Sequence, residues 1–288
     1  MRWEDQRRSE NVEDRRGTRV RGGLGGGVGL GTIVLVLIVS WLTGANPLTL
    51  LQMAGSVGGG GGAPAQQAPT GAPAGDPQAE FAAVVLASTE DAWTRVFQQA
   101  GERYTPPTLV LFTDAVQSAC GTNSAAVGPF YCPADQKLYI DLGFFRELDE
   151  RFGAPGDFAQ AYVVAHEVGH HLQVLLGVSD RVQAARQRAG EAEGNRLSVL
   201  QELQADCFAG VWGHHAAQRN LLDSGDVEEG LRAAAAIGDD TLQRRSQGRV
   251  TPESWTHGSS EQRVTWLRRG LTEGTLDACD TFGQASRR

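Results

Sequence analysis

Apolar residues recur at helical spacing through Phe158, Ala161, Tyr162, Val164, Ala165, Val168, Leu172, Val174 and Leu175. The pattern predicts a buried helix that opens at Asp157 as N-cap after Gly156 and ends at Gly177 in a left-handed cap. A second helical pattern runs from Ala79 to Ala100 through Phe81, Val84, Val85, Ala92, Trp93, Val96 and Phe97. A third spans Ser198 to Gln218, with Ser198 and Gln201 forming a capping box; the stretch before it, Arg181 to Asn195, is polar and broken by Gly190 and Gly194.

Between the first two helical patterns the period changes. Thr108–Phe112 is short, β-branched and aromatic, as a buried strand is. Ala126–Tyr131 and Lys137–Leu142 flank the turn-like Cys132-Pro133-Ala134-Asp135-Gln136 and predict a hairpin, with Pro129 confining its strand to an edge or a bulge. An edge strand has unpaired backbone groups that an extended peptide can join.

The N-terminal part carries no such periodicity. Residues 1–21 are dense in charge and poor in apolar side chains, too little to fold alone, and end in the cluster Arg15, Arg16, Arg19 and Arg21. Leu24–Leu42 holds no charged residue and includes Ile33–Val39, just reaching the roughly 20 residues that cross a bilayer as a helix. The expected organisation is therefore a cytoplasmic charged tail (1–21), a transmembrane anchor (22–45), a Gly/Pro/Ala-rich linker (46–78) and a folded domain (79–288). Arginines before the apolar stretch place the domain on the extracytoplasmic face of the cell membrane. A signal peptide cut near Ala45 is the competing reading, because Thr43-Gly44-Ala45 are small.

Composition narrows the function. The net charge is −8, with basic residues gathered before residue 22, so the remainder offers no basic face and a nucleic-acid partner is excluded. Cys120, Cys132, Cys207 and Cys279 form no C-x-x-C pair and fit two disulfides in an oxidising compartment; three pairings are open.

The chemistry centres on His166-Glu167-Val168-Gly169-His170. Histidines four apart share one helix face, so both imidazoles reach one cation, and Glu167 lies beside them as a base. A catalytic Zn2+ needs three protein ligands and a water. Glu202, on the following helix, is the expected third ligand, and Asp206, one turn later, is placed to accept the other ring N–H of a ligand histidine. The alternative for this pair is a solvated acidic face.

These residues, with Glu202–Asp206 and Thr256–Arg263, resemble the bacterial neutral zinc metallopeptidases, a membrane-anchored group similar to gluzincins such as thermolysin. Ser118–Gly121, Gly128–Pro133 and Ile237–Asp240 extend the resemblance over about residues 78–282. It implies an α+β, zincin-like fold, mainly helical with a small sheet, to which the anchor helix is added. By order along the chain, His257 matches the histidine that stabilises the oxyanion in such enzymes; the alternative is a role at the start of the helix near Ser259. Arg263 is expected to pair with Asp239 or Asp240. The cysteine pairing expected is Cys120–Cys132 across the hairpin and Cys207–Cys279 between the ligand helix and the C-terminal tail.

The implied activity is a zinc-dependent endopeptidase acting on peptides or proteins, with Glu167 as general base. A cell-wall peptide amidase would use the same site. A catalytically idle, zinc-stabilised surface binding module is the reading from another class, against which the intact Glu167 speaks.

Overall fold

Thr108–Phe112 forms a strand (β2) because its β-branched and aromatic side chains are buried on both faces, from Leu109 to Phe112. The computed structural model in which it lies describes residues 1–17, 71 and 74–285. The sheet around β2 has the order β1-β2-β6-β5, with β1 at Val12–Asp14, β5 at Phe130–Cys132 and β6 at Lys137–Asp141. The first three are parallel, and β5 runs antiparallel to β6 at the edge, in the register Phe130 to Tyr139. A separate antiparallel pair, β3 (Ala115–Ser118) and β4 (Gly121–Ser124), precedes the edge strand.

Helices fill the rest of the domain: α1 (Pro77–Gln99), α2 (Gly143–Glu150), α3 (Asp157–Leu175), α4 (Val178–Arg186), α5 (Glu191–Gln218), α6 (Asp226–Ala236), α7 (Asp239–Gln247), α8 (Ser260–Glu273) and α9 (Thr281–Ala285). α1, α3 and α5 pack together through Trp93, Phe158, Phe208 and Trp212, with Phe158 stacked on Trp212 at 5.6 Å. Two disulfides join Cys120 to Cys132, at the end of the edge strand, and Cys207 on α5 to Cys279 in the C-terminal segment.

Two helix starts differ from the sequence expectation. Gly156 occupies the cap position before α3, so Asp157 is the first helical residue and its carboxylate turns to the Met1 amine at 2.7 Å. α5 begins at Glu191, and Ser198 sits inside it with its hydroxyl donating to the Gly194 carbonyl at 3.2 Å. The two glycines that read as breaks are its cap and part of its first turns. α4 overlaps the start of the polar stretch Arg181–Asn195, to which the sequence pattern assigns no element.

The largest correction concerns the N-terminus. Residues 1–17 belong to the same unit as residues 74–285. Val12 is buried in the sheet, Trp3 packs edge-on against Phe81, and the charges that seemed to forbid folding find partners on the domain. Arg7 donates to Glu90 and Asp91 at 2.9 and 2.8 Å, and Arg2 to Asp223 at 2.8 Å. Glu90, buried on α1, also accepts from Ser9 and Asn11. Removing these donors would strand a buried carboxylate, at a cost of roughly 1–3 kcal/mol or more. The charge run is thus one half of a complementary surface whose other half lies elsewhere in the sequence.

No helix among the described residues is long and apolar enough to cross a membrane, so the transmembrane helix drops out of the fold description. Residues 22–45, on which that expectation falls, lie outside the described residues, as does most of the expected linker. The sheet supplies the physical objection: pairing of residues 12–14 with 109–111 keeps the N-terminal segment and the domain on the same side of any membrane, which a cytoplasmic tail before a single crossing contradicts.

Candidate metal centre

α3 presents His166 and His170 on one face, with Glu167 buried between them. α5 crosses α3 at Gly169, where an added Cβ would lie 2.9 Å from the Ala205 Cα. Glycine at this position lets the two backbones approach, and the approach delivers Glu202. Its Oε2 lies 3.1 Å from His166 Nε2 and its Oε1 3.4 Å from His170 Nε2. One ligand atom from each of the three residues falls within 4.8 Å of the others.

The outer ring nitrogens are engaged by acceptors. His166 Nδ1 lies 2.8 Å from Asp206 Oδ1, and His170 Nδ1 lies 2.9 Å from Gln173 Oε1. Each Nδ1 is therefore held as a donor, which makes the Nε2 that faces Glu202 the nitrogen able to take a cation in place of its own proton. Gln173 is itself oriented: its amide donates to the Gln201 carbonyl at 2.7 Å and to Gln204 Oε1 at 3.2 Å, and Gln204 donates to the Cys279 carbonyl at 3.0 Å. A line of hydrogen bonds thus runs from the disulfide-tied C-terminal segment to His170.

Asp206 is fully buried and has four donors. Arg263 forks onto it with Nε to Oδ2 and Nη2 to Oδ1, both at 2.9 Å, and Tyr162 donates its hydroxyl at 2.5 Å beside the His166 bond. Arg263 reaches it because α8 lies against α5: an added Cβ on Gly270 would stand 2.0 Å from the Cys207 carbonyl. Arg263 was expected on Asp239 or Asp240 and is on neither. Asp240 accepts instead from the Ser260 backbone and hydroxyl at 2.7 and 2.8 Å.

Burial raises the proton affinity of the Asp206 carboxyl, but Arg263 and His166 outweigh it and bring it down to about 2. Burial likewise opposes ionisation of Glu202, yet the two histidines hold it well below the usual carboxylate range. Burial alone would favour neutral His166; Asp206 and Glu202 hold it up at about 10. Glu167 has its carboxyl pushed up by burial. The field at the point of convergence favours positive charge, and the one base beside it is poised to keep a proton more readily than a free glutamate.

His257 lies at the rim of the same cleft, a cavity of about 1010 Å³ whose walls also include Glu167, Arg263 and the edge strand. Asp239 holds the loop that bears it. Its Oδ2 accepts the backbone N–H groups of Thr256, His257 and Gly258 at 2.8, 2.7 and 3.0 Å, while Oδ1 is 3.2 Å from His257 Nδ1. That hydrogen bond raises the His257 pKa against the effect of burial. Ser259, with Gln262 in a capping box, caps α8, so His257 has no share in the cap.

The structure therefore brings His166, Glu167, His170, Glu202 and His257 to one cleft, with Asp206 buried behind His166, while His214 turns to the Leu271 carbonyl outside it. Tyr162, Gln173, Gln204 and the true partner of Arg263 escaped the sequence reading. Tyr162 precedes His166 by one helical turn and Gln173 follows His170 by three positions, so spacing on the helix face carried the signal for both.

A family model described as "Putative neutral zinc metallopeptidase" matches residues 1–282. The chain belongs to that family. The match begins at the first residue, in keeping with an N-terminal segment that is part of the fold. YpfJ of Escherichia coli (strain K12), an uncharacterized protein, is 46% identical over 300 residues, which cover 99% of this chain and 100% of its own. Rv2575 of Mycobacterium tuberculosis (strain ATCC 25618 / H37Rv), also uncharacterized, is 45% identical over 193 residues, 63% of this chain and 64% of its own. No solved structure matches.

Proposed function

We propose that this member of the zinc metallopeptidase family is an endopeptidase that hydrolyses peptide bonds with an activated water, using Glu167 as general base. The observation that carries the reading is the convergence of His166 Nε2, His170 Nε2 and a Glu202 oxygen within 4.8 Å, with both outer ring nitrogens engaged by Asp206 and Gln173. Two neutral imidazoles and a carboxylate are the donor set of a catalytic zinc site, so the residues fit the metal that the family implies. Zinc, when bound, supplies a Lewis acid that polarises a carbonyl and acidifies water.

The protein's own groups do the rest. Glu167 takes the proton of the attacking water on its carboxylate and passes one to the leaving amine, a transfer that its raised proton affinity suits. His257, aimed by Asp239, donates to the carbonyl oxygen as negative charge gathers there. Asp206 keeps His166 in the ligating tautomer and Gln173 does so for His170. The edge strand β5 offers the backbone of an extended peptide its free hydrogen-bonding groups.

The test is zinc stoichiometry after dialysis together with the rate on an unstructured protein substrate, with and without a chelator. Glu167→Gln should keep its zinc and lose about 100-fold to 10,000-fold in rate. A variant that loses metal, or one as active as the parent, would refute this role for Glu167. The two disulfides support an oxidising, extracytoplasmic compartment as the place of action. Alkylation of all four cysteines in intact cells, without a reductant, would count against that placement.

A further inference from the structure

Of the two adjacent histidines at the end of the motif, His170 faces the metal centre and His171 faces the other way, into fully buried surroundings. His171 Nε2 is 2.7 Å from the Thr105 carbonyl, an obligate acceptor, so its proton sits on Nε2 and Nδ1 is left as an acceptor. At 3.0 Å from Nδ1 stands the hydroxyl of Tyr131, which donates to it. Tyr131 is the central residue of β5 and lines the cleft. Tyr104 flanks the imidazole edge-on at 6.0 Å and Tyr131 does so at 5.6 Å, so the ring has little freedom to turn.

This arrangement links the two cleft walls that matter most to a bound chain. β5 has only three residues and pairs with β6 alone; its far end is tied by the Cys120–Cys132 disulfide. Between the edge strand and α3, the described polar side-chain link is Tyr131 to His171, and on α3 the next residue back is the ligand candidate His170. The distance from the edge strand to the metal centre is what sets whether a peptide paired with β5 presents its scissile bond at Glu167. A 1 Å error in such placement is costly to catalysis.

We propose that the Tyr131–His171 hydrogen bond is a positioning strap that fixes the substrate-docking edge strand relative to the metal helix, so that both residues govern the use of extended substrates without touching the reacting atoms. The inference rests on the peptidase reading above. It also accounts for a histidine that the motif does not use.

The experiment compares Tyr131→Phe with the parent, both zinc-loaded, on two peptides that share one cleavage site. The first is long enough to lie along all of β5, and the second is a blocked dipeptide amide that spans only the scissile bond. Loss of one hydrogen bond should lower kcat/KM for the long peptide about 3-fold to 10-fold, leaving zinc content and cleavage of the short peptide unchanged. In a His171→Leu background the same change should have no further effect on kcat/KM. Equal losses on both peptides, loss of zinc, unchanged kcat/KM for the long peptide, or additive losses in the double variant would each overturn the proposal. Hydrogen exchange of residues 128–132 gives a second readout that needs no turnover, and faster exchange in Tyr131→Phe is expected. If the parent cleaves neither peptide, the peptidase reading fails; the exchange result then decides the strap alone, and unchanged exchange overturns it.

Discussion

Two clusters in this molecule bring three metal-capable side chains within reach of one point: His166, His170 and Glu202, and, at the start of the same helix, Asp157, Asp226 and Glu229. Counting ligand atoms does not separate them, but their surroundings do. In the second cluster the oxygens already have partners from the chain. The Met1 ammonium lies 2.7 Å from Asp157 and 3.3 Å from Asp226, Glu229 accepts the Phe158 N–H at 3.2 Å, and Asp226 accepts that of Asp223 at 2.8 Å. In the first, the hydrogen bonds from outside the cluster go to the outer nitrogens, and the inner ones meet Glu202, a member of the cluster itself, in a cleft that substrate can enter. A metal centre is recognised by where its ligands' other hydrogen bonds go, more than by how many ligands meet.

Three substitutions test the contrast, beginning with the one of largest effect. Glu202→Gln removes the anionic member of the first cluster. Zinc binding and peptidase rate should fall together, by more than the roughly 10-fold to 100-fold typical of a lost outer-shell partner, with partial recovery on adding zinc. Retention of a full zinc equivalent after dialysis would show that the third ligand lies elsewhere.

Asp239→Asn acts on the cleft and leaves the metal ligands untouched. Asp239 raises the His257 pKa, so its loss lets that pKa fall back toward 6.5. Because the cationic form is the stronger donor, the alkaline limb of the rate profile should move to lower pH, with zinc content unchanged. A pH–rate profile that stays in place would remove His257 from the mechanism.

Asp226→Asn should have the smallest effect on function, with zinc stoichiometry and kcat as in the parent. Its cost should fall on stability, about 1–3 kcal/mol by urea denaturation, through a weakened partner for the Met1 ammonium. A drop in bound zinc would place a functional cation in the second cluster.

The difference between the clusters also marks how far sequence carries. His166 and His170 are legible because helical spacing is a local property, and so is the strand at Thr108–Phe112; Glu202 is reached only by its place on the following helix. The hydrogen bond from Arg263 to Asp206 is not, since it depends on how closely α5 and α8 pack, which Gly210 and Gly270 set from positions with no chemistry of their own. Composition alone makes residues 1–21 a tail because it describes a segment in isolation. Val12 and the paired arginines make sense only beside Leu109, Glu80 and Glu90, which lie far along the chain.

That separation has a consequence in time. Strand β1 is made first, yet its partner is β2, with Val12 registered against Leu109. At a synthesis rate of roughly 5–20 residues per second, the partner follows about 5–20 s later, and β6 later still. Through that interval the N-terminal segment has no sheet to join and is exposed to whatever handles the nascent chain. Its incorporation adds the outer strand to the parallel sheet, so a segment made early waits for a partner made much later.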